Sequence, residues 1–236
     1  MIVTIDGPSG SGKSTAARLL AKRLGFLYLD TGAMYRAVAL NALRENVSLD
    51  DPEVLTKLAR RSRIRFRMDP GHKVKILLDG EDVTEAIRHP RVSEAASRVA
   101  TVSGVRRALV AQQRAIGSGG RVVAEGRDTG TVVFPRADLK LYLTASPKER
   151  AKRRSRDLKT QGHRATLAEV LGDLKRRDRR DSRRQDSPLR AARGAIRIDN
   201  TKLQSSQVLD KLFDYVRQVR SQSKRHRLSR FSRRQR

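Results

Sequence analysis

The stretch 7–14 reads Gly-Pro-Ser-Gly-Ser-Gly-Lys-Ser, so Gly7, Gly12, Lys13 and Ser14 stand at the spacing of a Walker A loop. Gly7, Gly10 and Gly12 let a backbone bend around an anion with its N–H groups turned inward, and Pro8, Ser9 and Ser11 complete the wrap. Lys13 suits the β- and γ-phosphates of a nucleoside triphosphate, and the Ser14 hydroxyl suits Mg²⁺. Thr15 then opens the helical pattern 15–24, whose positive end would face the phosphates. The chemistry is phosphate handling, by hydrolysis or by transfer; the loop alone does not choose.

Three other groups could do chemistry. Asp30 precedes Thr31, Tyr35 and Arg36, with Thr31 and Tyr35 one helical turn apart, so a hydroxyl, a phenol and a guanidinium could hold a second anion. The plainer reading is an N-cap with solvated neighbours. In 125–135, Arg127 beside Asp128 offers a cation for phosphate next to an acceptor for an amine or hydroxyl. The plainer reading there is a surface ion pair on a turn. Arg177, Asp181 and Arg184 fall at i, i+4 and i+7 on one helix face, where Asp181 is expected to hold the forks of both arginines. Mixed charge of that kind is also the pattern of a solvated helix.

The elements that must position these groups are legible from periodicity. Apolar runs at 2–6, 26–29, 121–124, 139–143 and 195–198 read as buried strands. Helical patterns cover 13–24, 33–45, 52–61, 92–102, 105–116, 147–159, 167–184 and 205–219, with Asp50-Asp51-Pro52 as a capped start. Alternation of the two predicts an α/β fold, a doubly wound parallel sheet whose ligands sit past the strand C-termini. Between 64 and 83 the period changes to two, with turn signals at 69–71 and 79–80, which predicts a small antiparallel meander inserted in the chain.

Composition sets bounds. The 236 residues hold 53 basic against 25 acidic side chains, a net charge of +28, which attracts polyanions of any kind. There is no cysteine, so disulfides and thiolate metal sites are excluded. No apolar run is long enough to span a bilayer, and the chain reads as cytoplasmic with no membrane partner. No acid occurs from 217 to 236, and 221–236 is an Arg/Ser/Gln tail expected to be disordered or a fraying continuation of the last helix.

Taken in order, the segments 7–14, 29–36, 125–135 and 177–184 resemble the bacterial cytidylate (CMP/dCMP) kinases, nucleoside monophosphate kinases of the P-loop class, over about 2–219. The resemblance implies one kinase domain, 1–220, with a monophosphate-binding insertion at about 31–105, an arginine-rich lid at about 150–185, and a basic tail at 221–236. It implies transfer of the γ-phosphate of Mg-ATP to CMP or dCMP by a monomer. CMP contacts are implied for Asp30, Thr31, Tyr35, Arg36, Arg106, Arg127 and Asp128, with Arg177, Asp181 and Arg184 completing the pocket. Arg150, Arg153 and Arg154 match the lid over ATP, and Lys13, Arg127, Arg153 and Arg154 are the implied catalytic cations. Asp199-Asn200-Thr201 resembles the adenine-side loop.

Other readings are a guanylate- or adenylate-type kinase, against which the segments after Asp30 and Glu125 argue, and a GTPase, for which no Asn-Lys-x-Asp motif is present. A nucleic-acid-binding protein is suggested by charge, yet five Phe, four Tyr and no Trp leave few stacking surfaces. Weak, non-specific nucleic-acid binding is therefore expected only as a secondary property of the tail.

Overall fold

The computed structural model describes residues 1–69, 74–160, 162 and 164–232. In chain order the elements are β1 (Ile2–Asp6), α1 (Lys13–Leu24), β2 (Leu27–Asp30), α2 (Thr31–Arg44), α3 (Pro52–Arg61), β3 (Ile64–Met68), β4 (Val74–Leu78) and β5 (Glu81–Asp82). They continue with α4 (Pro90–Val99), α5 (Ser103–Gly117), β6 (Val122–Gly126), β7 (Leu139–Thr144), α6 (Pro147–Thr160), α7 (Leu167–Ser182), β8 (Ile196–Asp199) and α8 (Ser205–Ser232).

Five strands form a parallel sheet in the order β2-β6-β1-β7-β8. Because side chains alternate across a strand, neighbouring residues feed opposite cores. Val122 and Ala124 face the side covered by α2, α4 and α5, whereas Val123, with Val3 and Ile5, faces α1 and α8. On α8 the buried positions Val208, Leu212 and Val216 recur every fourth residue, the stripe that seats this helix on the sheet. Strands β3, β4 and β5 form the separate antiparallel meander expected from the period change, with the short β5 as an addition. Pro70 and Gly71 of its expected turn lie outside the described residues.

Caps fix where the helices start. Asp30 accepts from the Ala33 N–H at 2.8 Å, so α2 begins at Thr31, earlier than the apolar pattern indicates. Asp51 accepts from the N–H groups of Glu53 and Val54, with Pro52 in the first turn of α3. Helices α6 and α7 pack on each other around Ala151, Val170 and Leu174, an apolar nucleus of their own.

Helix α8 runs on to Ser232, and 233–236 lie outside the described residues. The sequence 205–236 contains no glycine or proline and is rich in Arg, Lys and Gln, which favours continuing the helix. Near the start of the tail, Val219 packs against the sheet core and the Arg220 guanidinium lies over the Phe26 ring.

Candidate active site

The C-terminal ends of β1, β2 and β6 open into one cavity of about 660 Å³. The loop 7–12 arrives from β1. Gly7 is fixed by close packing, since a Cβ there would stand 2.0 Å from the Leu143 carbonyl oxygen. Gly12 has φ +83°, a left-handed conformation that glycine adopts without strain. Nine cationic and six anionic side chains line the cavity, so a site this enclosed favours an anionic occupant.

Lys13 is buried at the centre. Its Nζ donates to the Pro8 carbonyl at 3.3 Å and stands 3.9 Å from Glu125. Burial, and then the neighbouring Arg127, pull its pKa down to about 7, against the partial offset of Glu125. Glu125, at the end of β6, accepts from the Ser14 hydroxyl at 2.7 Å, and burial pushes its carboxyl upward. Arg177 is enclosed without a salt-bridge partner among the described residues, and burial followed by Arg127 lowers it to about 9. Among the described residues its Nε has no hydrogen-bond partner, nor have Arg36 Nε and Arg184 Nε. These cations are crowded in a way that phosphate oxygens would relieve.

At the other end of the cavity, Arg106 is buried between Asp128, to which it is ion-paired, and the Ala100 carbonyl at 3.1 Å, with its guanidinium over the Tyr35 ring. Arg127 donates instead to Asp181 at 2.8 Å, across from α7. Arg127 and Asp128 thus each pair with a distant partner, so the surface-pair reading of the dipeptide does not hold. Asp181 does hold two arginine forks, but they are Arg127 and Arg184; Arg177 is not one of them, because Arg127 reaches the carboxylate first from β6. Asp30 pairs with Arg36 at 3.0 Å, and the Thr31 hydroxyl donates to the Glu125 carbonyl at 2.8 Å.

Residues 3–218 match the sequence profile of the family described as cytidylate kinase. The chain is 52% identical over 197 residues to a cytidylate kinase of Pelotomaculum thermopropionicum, covering 84% of this chain and 87% of that protein. It is 48% identical over 215 residues to a cytidylate kinase of Caldanaerobacter subterraneus, covering 91% and 94% respectively. This chain belongs to the cytidylate kinase family. In the fold alone it is also similar to an uncharacterised protein from Eubacterium ventriosum, with TM-score 0.50, 13% identity, and coverage of 92% of this chain and 98% of the other.

Within this cytidylate kinase family member, the cavity is lined by Ser9, Gly10, Gly12, Lys13, Ser14 and Thr15 on one side and by Asp30, Thr31, Tyr35, Arg36, Arg106, Arg127, Asp128, Arg177, Asp181 and Arg184 on the other. Arg153 and Arg154 close it from α6. Gly7, Pro8, Ser11 and Arg150 stand behind the lining. Arg150 spends its donors on protein, bonding the Ala145 carbonyl at 3.1 Å, the Ser9 carbonyl at 3.0 Å and Asp178 at 2.6 Å. It braces the loop 7–12 against α6 and α7. Arg153 is similarly engaged with Glu149 and with both oxygens of Asn200. Arg154 makes no such bond among the described residues, and burial lowers its pKa.

Sequence reasoning missed two residues here, Glu125 and Ser97, and one tie made by a third, Asn200 of the expected adenine-side loop. Glu125 is quoted above only as part of a segment, although a carboxylate ending a strand beside a Walker A serine is itself a signal. Asn200 donates from Nδ2 to the Ser11 carbonyl at 2.8 Å and so ties the last loop to the phosphate loop. Ser97 on α4 lines the cavity with a buried hydroxyl that has no partner. No motif flagged Ser97; only the folding of α4 against α2 brings it in.

Proposed function

We propose that this chain transfers the γ-phosphate of Mg-ATP to CMP or dCMP, giving ADP and CDP or dCDP, and that the residues named above as lining the cavity are its site. The observation that supports this most is the convergence of Lys13, Arg127 and Arg177 on one cavity that also reaches Ser97, Arg106 and Asp128. Two phosphate-bearing molecules laid end to end fit such a site, with the cations between them. The acceptor is a phosphate oxygen, largely dianionic near pH 7, so no general base is needed. Lys13, Arg127, Arg154 and Arg177 draw the two anions together and neutralise charge on the moving phosphoryl group. The Ser14 hydroxyl and the Glu125 carboxylate are hard oxygen donors 2.7 Å apart, a set that fits Mg²⁺ held jointly with nucleotide phosphates. Bound there, Mg²⁺ would supply further charge neutralisation. We place the activity in the cytoplasm, where both nucleotides occur, and in a monomer. Among the described residues, no helix is long and apolar enough to cross a membrane.

The test is phosphate transfer from Mg-ATP to CMP, dCMP, UMP, AMP and GMP, read as products. CDP and dCDP are the expected major products; none formed, under conditions where ATP binds, defeats the reading.

At the base end, the Ser97 hydroxyl, without a partner among the described residues, lines the same cavity as the Arg106–Asp128 pair and can hydrogen-bond a polar base edge. Ser97→Ala is expected to raise KM for CMP by roughly three- to tenfold, the worth of one neutral hydrogen bond, with KM for ATP unchanged. Equal changes for both nucleotides would place Ser97 elsewhere than on the base.

We assign the kinase domain to 1–220, because Val219 and Arg220 still contact the body while the sequence beyond has only Leu228 and Phe231 as large apolar residues. Deleting 221–236 is expected to leave CMP phosphorylation within about threefold, since no phosphate motif lies there. The same deletion should weaken retention on RNA or DNA at low salt, as added salt should for the full chain. Loss of phosphate transfer in the shortened enzyme would move the boundary beyond 220.

A further inference from the structure

We propose that Asp6 is a positioning residue that sets the acceptor-reading loop, Arg127 and Asp128, at its working distance from the phosphate loop, and that base selectivity depends on it. The inference rests on the function proposed above.

Asp6 is the last residue of β1, directly before Gly7, and is buried. It takes no part in the cation cluster. Its Oδ1 accepts from the Thr129 N–H at 2.9 Å and from the Thr129 hydroxyl at 2.8 Å. Its Oδ2 accepts from the Gly130 N–H at 2.8 Å. These donors open the tight turn Thr129–Val133, which starts immediately after Asp128. One carboxylate therefore fastens the start of the donor loop to the end of the acceptor loop. The approach is close: a Cβ on Gly130 would stand 2.9 Å from the Thr4 hydroxyl.

The two loops differ in what else holds them. The phosphate loop has independent ties at Ser9, through Arg150, and at Ser11, through Asn200. The turn is held at its far end by Arg114, which donates to the Val132 and Val133 carbonyls at 2.7 and 3.1 Å. At its near end Arg127 and Asp128 are tied at their side-chain tips to Asp181 and Arg106, while Asp6 holds the backbone just after them through the Thr129 and Gly130 N–H groups. Loss of Asp6 should therefore loosen the acceptor end of the site and leave the donor end in place. Asp128 would carry that displacement through its ion pair to Arg106, and Arg106 to the Tyr35 ring beneath it.

The variant is Asp6→Asn, which keeps the shape and one acceptor oxygen but sets an amide NH₂ against a backbone N–H. The expected result is a rise of about tenfold or more in KM for CMP and a fall in the CMP-to-UMP ratio of kcat/KM, with KM for ATP within about threefold. Thr129→Val removes one of the three bonds and should shift CMP use in the same direction by roughly two- to fivefold, while Thr129→Ser should restore it. These two variants decide the matter if Asp6→Asn does not fold. A purely structural role predicts a lower melting temperature with unchanged CMP KM and selectivity in the folded variants; that result overturns the proposal. Equal losses for ATP and CMP would overturn it too. Wild-type protein that makes no CDP would defeat the proposed function itself, a distinct outcome read before any variant is compared.

Discussion

Lys13→Ala should lower kcat/KM for CMP phosphorylation by about two orders of magnitude or more, because it removes a buried cation from where negative charge develops. The structure adds a second readout. In the nucleotide-free enzyme, burial and Arg127 hold the Lys13 pKa at about 7, against an ordinary value near 10.5. Below about pH 7 the free side chain is therefore charged, and above it increasingly neutral. A bound triphosphate favours the ammonium form and raises the pKa again. ATP binding should accordingly take up protons above about pH 7 and much less below it, measured by calorimetry in buffers of different ionisation enthalpy. Lys13→Ala should abolish that uptake as well as the rate. Near-normal turnover in the variant would mean that the loop 7–14 is not catalytic.

The reach of the sequence is clearest at Lys13 itself. Its motif, its strand and its helix are all local, so each could be read from neighbours along the chain. The same holds for the apolar runs that became β1, β6 and β7, for the capped start of α3, and for the meander. What could not be read is which partner each charged side chain chooses. Asp181 sits on the same helix face as Arg177 and Arg184, and spacing alone pairs it with both. The structure hands it Arg127, which lies 54 residues away. Arg153 has the sequence of a lid cation, yet its donors are taken by Glu149 and Asn200. Ser97 is an ordinary residue until α4 docks on α2, and the sequence does not show that Asn200, in its expected loop, ties to Ser11 of the phosphate loop. Long-range pairing of this kind depends on tertiary distances, which no local pattern encodes. The tail is a case where the sequence offers two outcomes. Its few large apolar side chains leave disorder or a fraying continuation of the last helix, and with no helix breaker in the sequence α8 runs on to Ser232.

Arg177→Met should separate stability from catalysis. In the nucleotide-free enzyme Arg177 is enclosed, its Nε lacks a hydrogen-bond partner, and burial together with Arg127 lowers its pKa to about 9. A charge in that position costs folding free energy that nothing in the ligand-free cavity fully offsets. Methionine keeps much of the length and removes the charge. The melting temperature of the nucleotide-free variant should therefore rise, by about 2–4 °C for each kcal/mol recovered in a domain of this size. Catalysis should move the other way, with kcat falling by about a hundredfold or more, because the phosphoryl group in transit loses a cation fixed in place before it arrives. The extra stabilisation that ATP and CMP give the wild type should shrink in parallel, since tighter binding to the native state is what produces it. A variant that melts lower and still turns over CMP at the wild-type rate would make Arg177 a structural residue, and the cation cluster would have to act through Lys13, Arg127 and Arg154 alone.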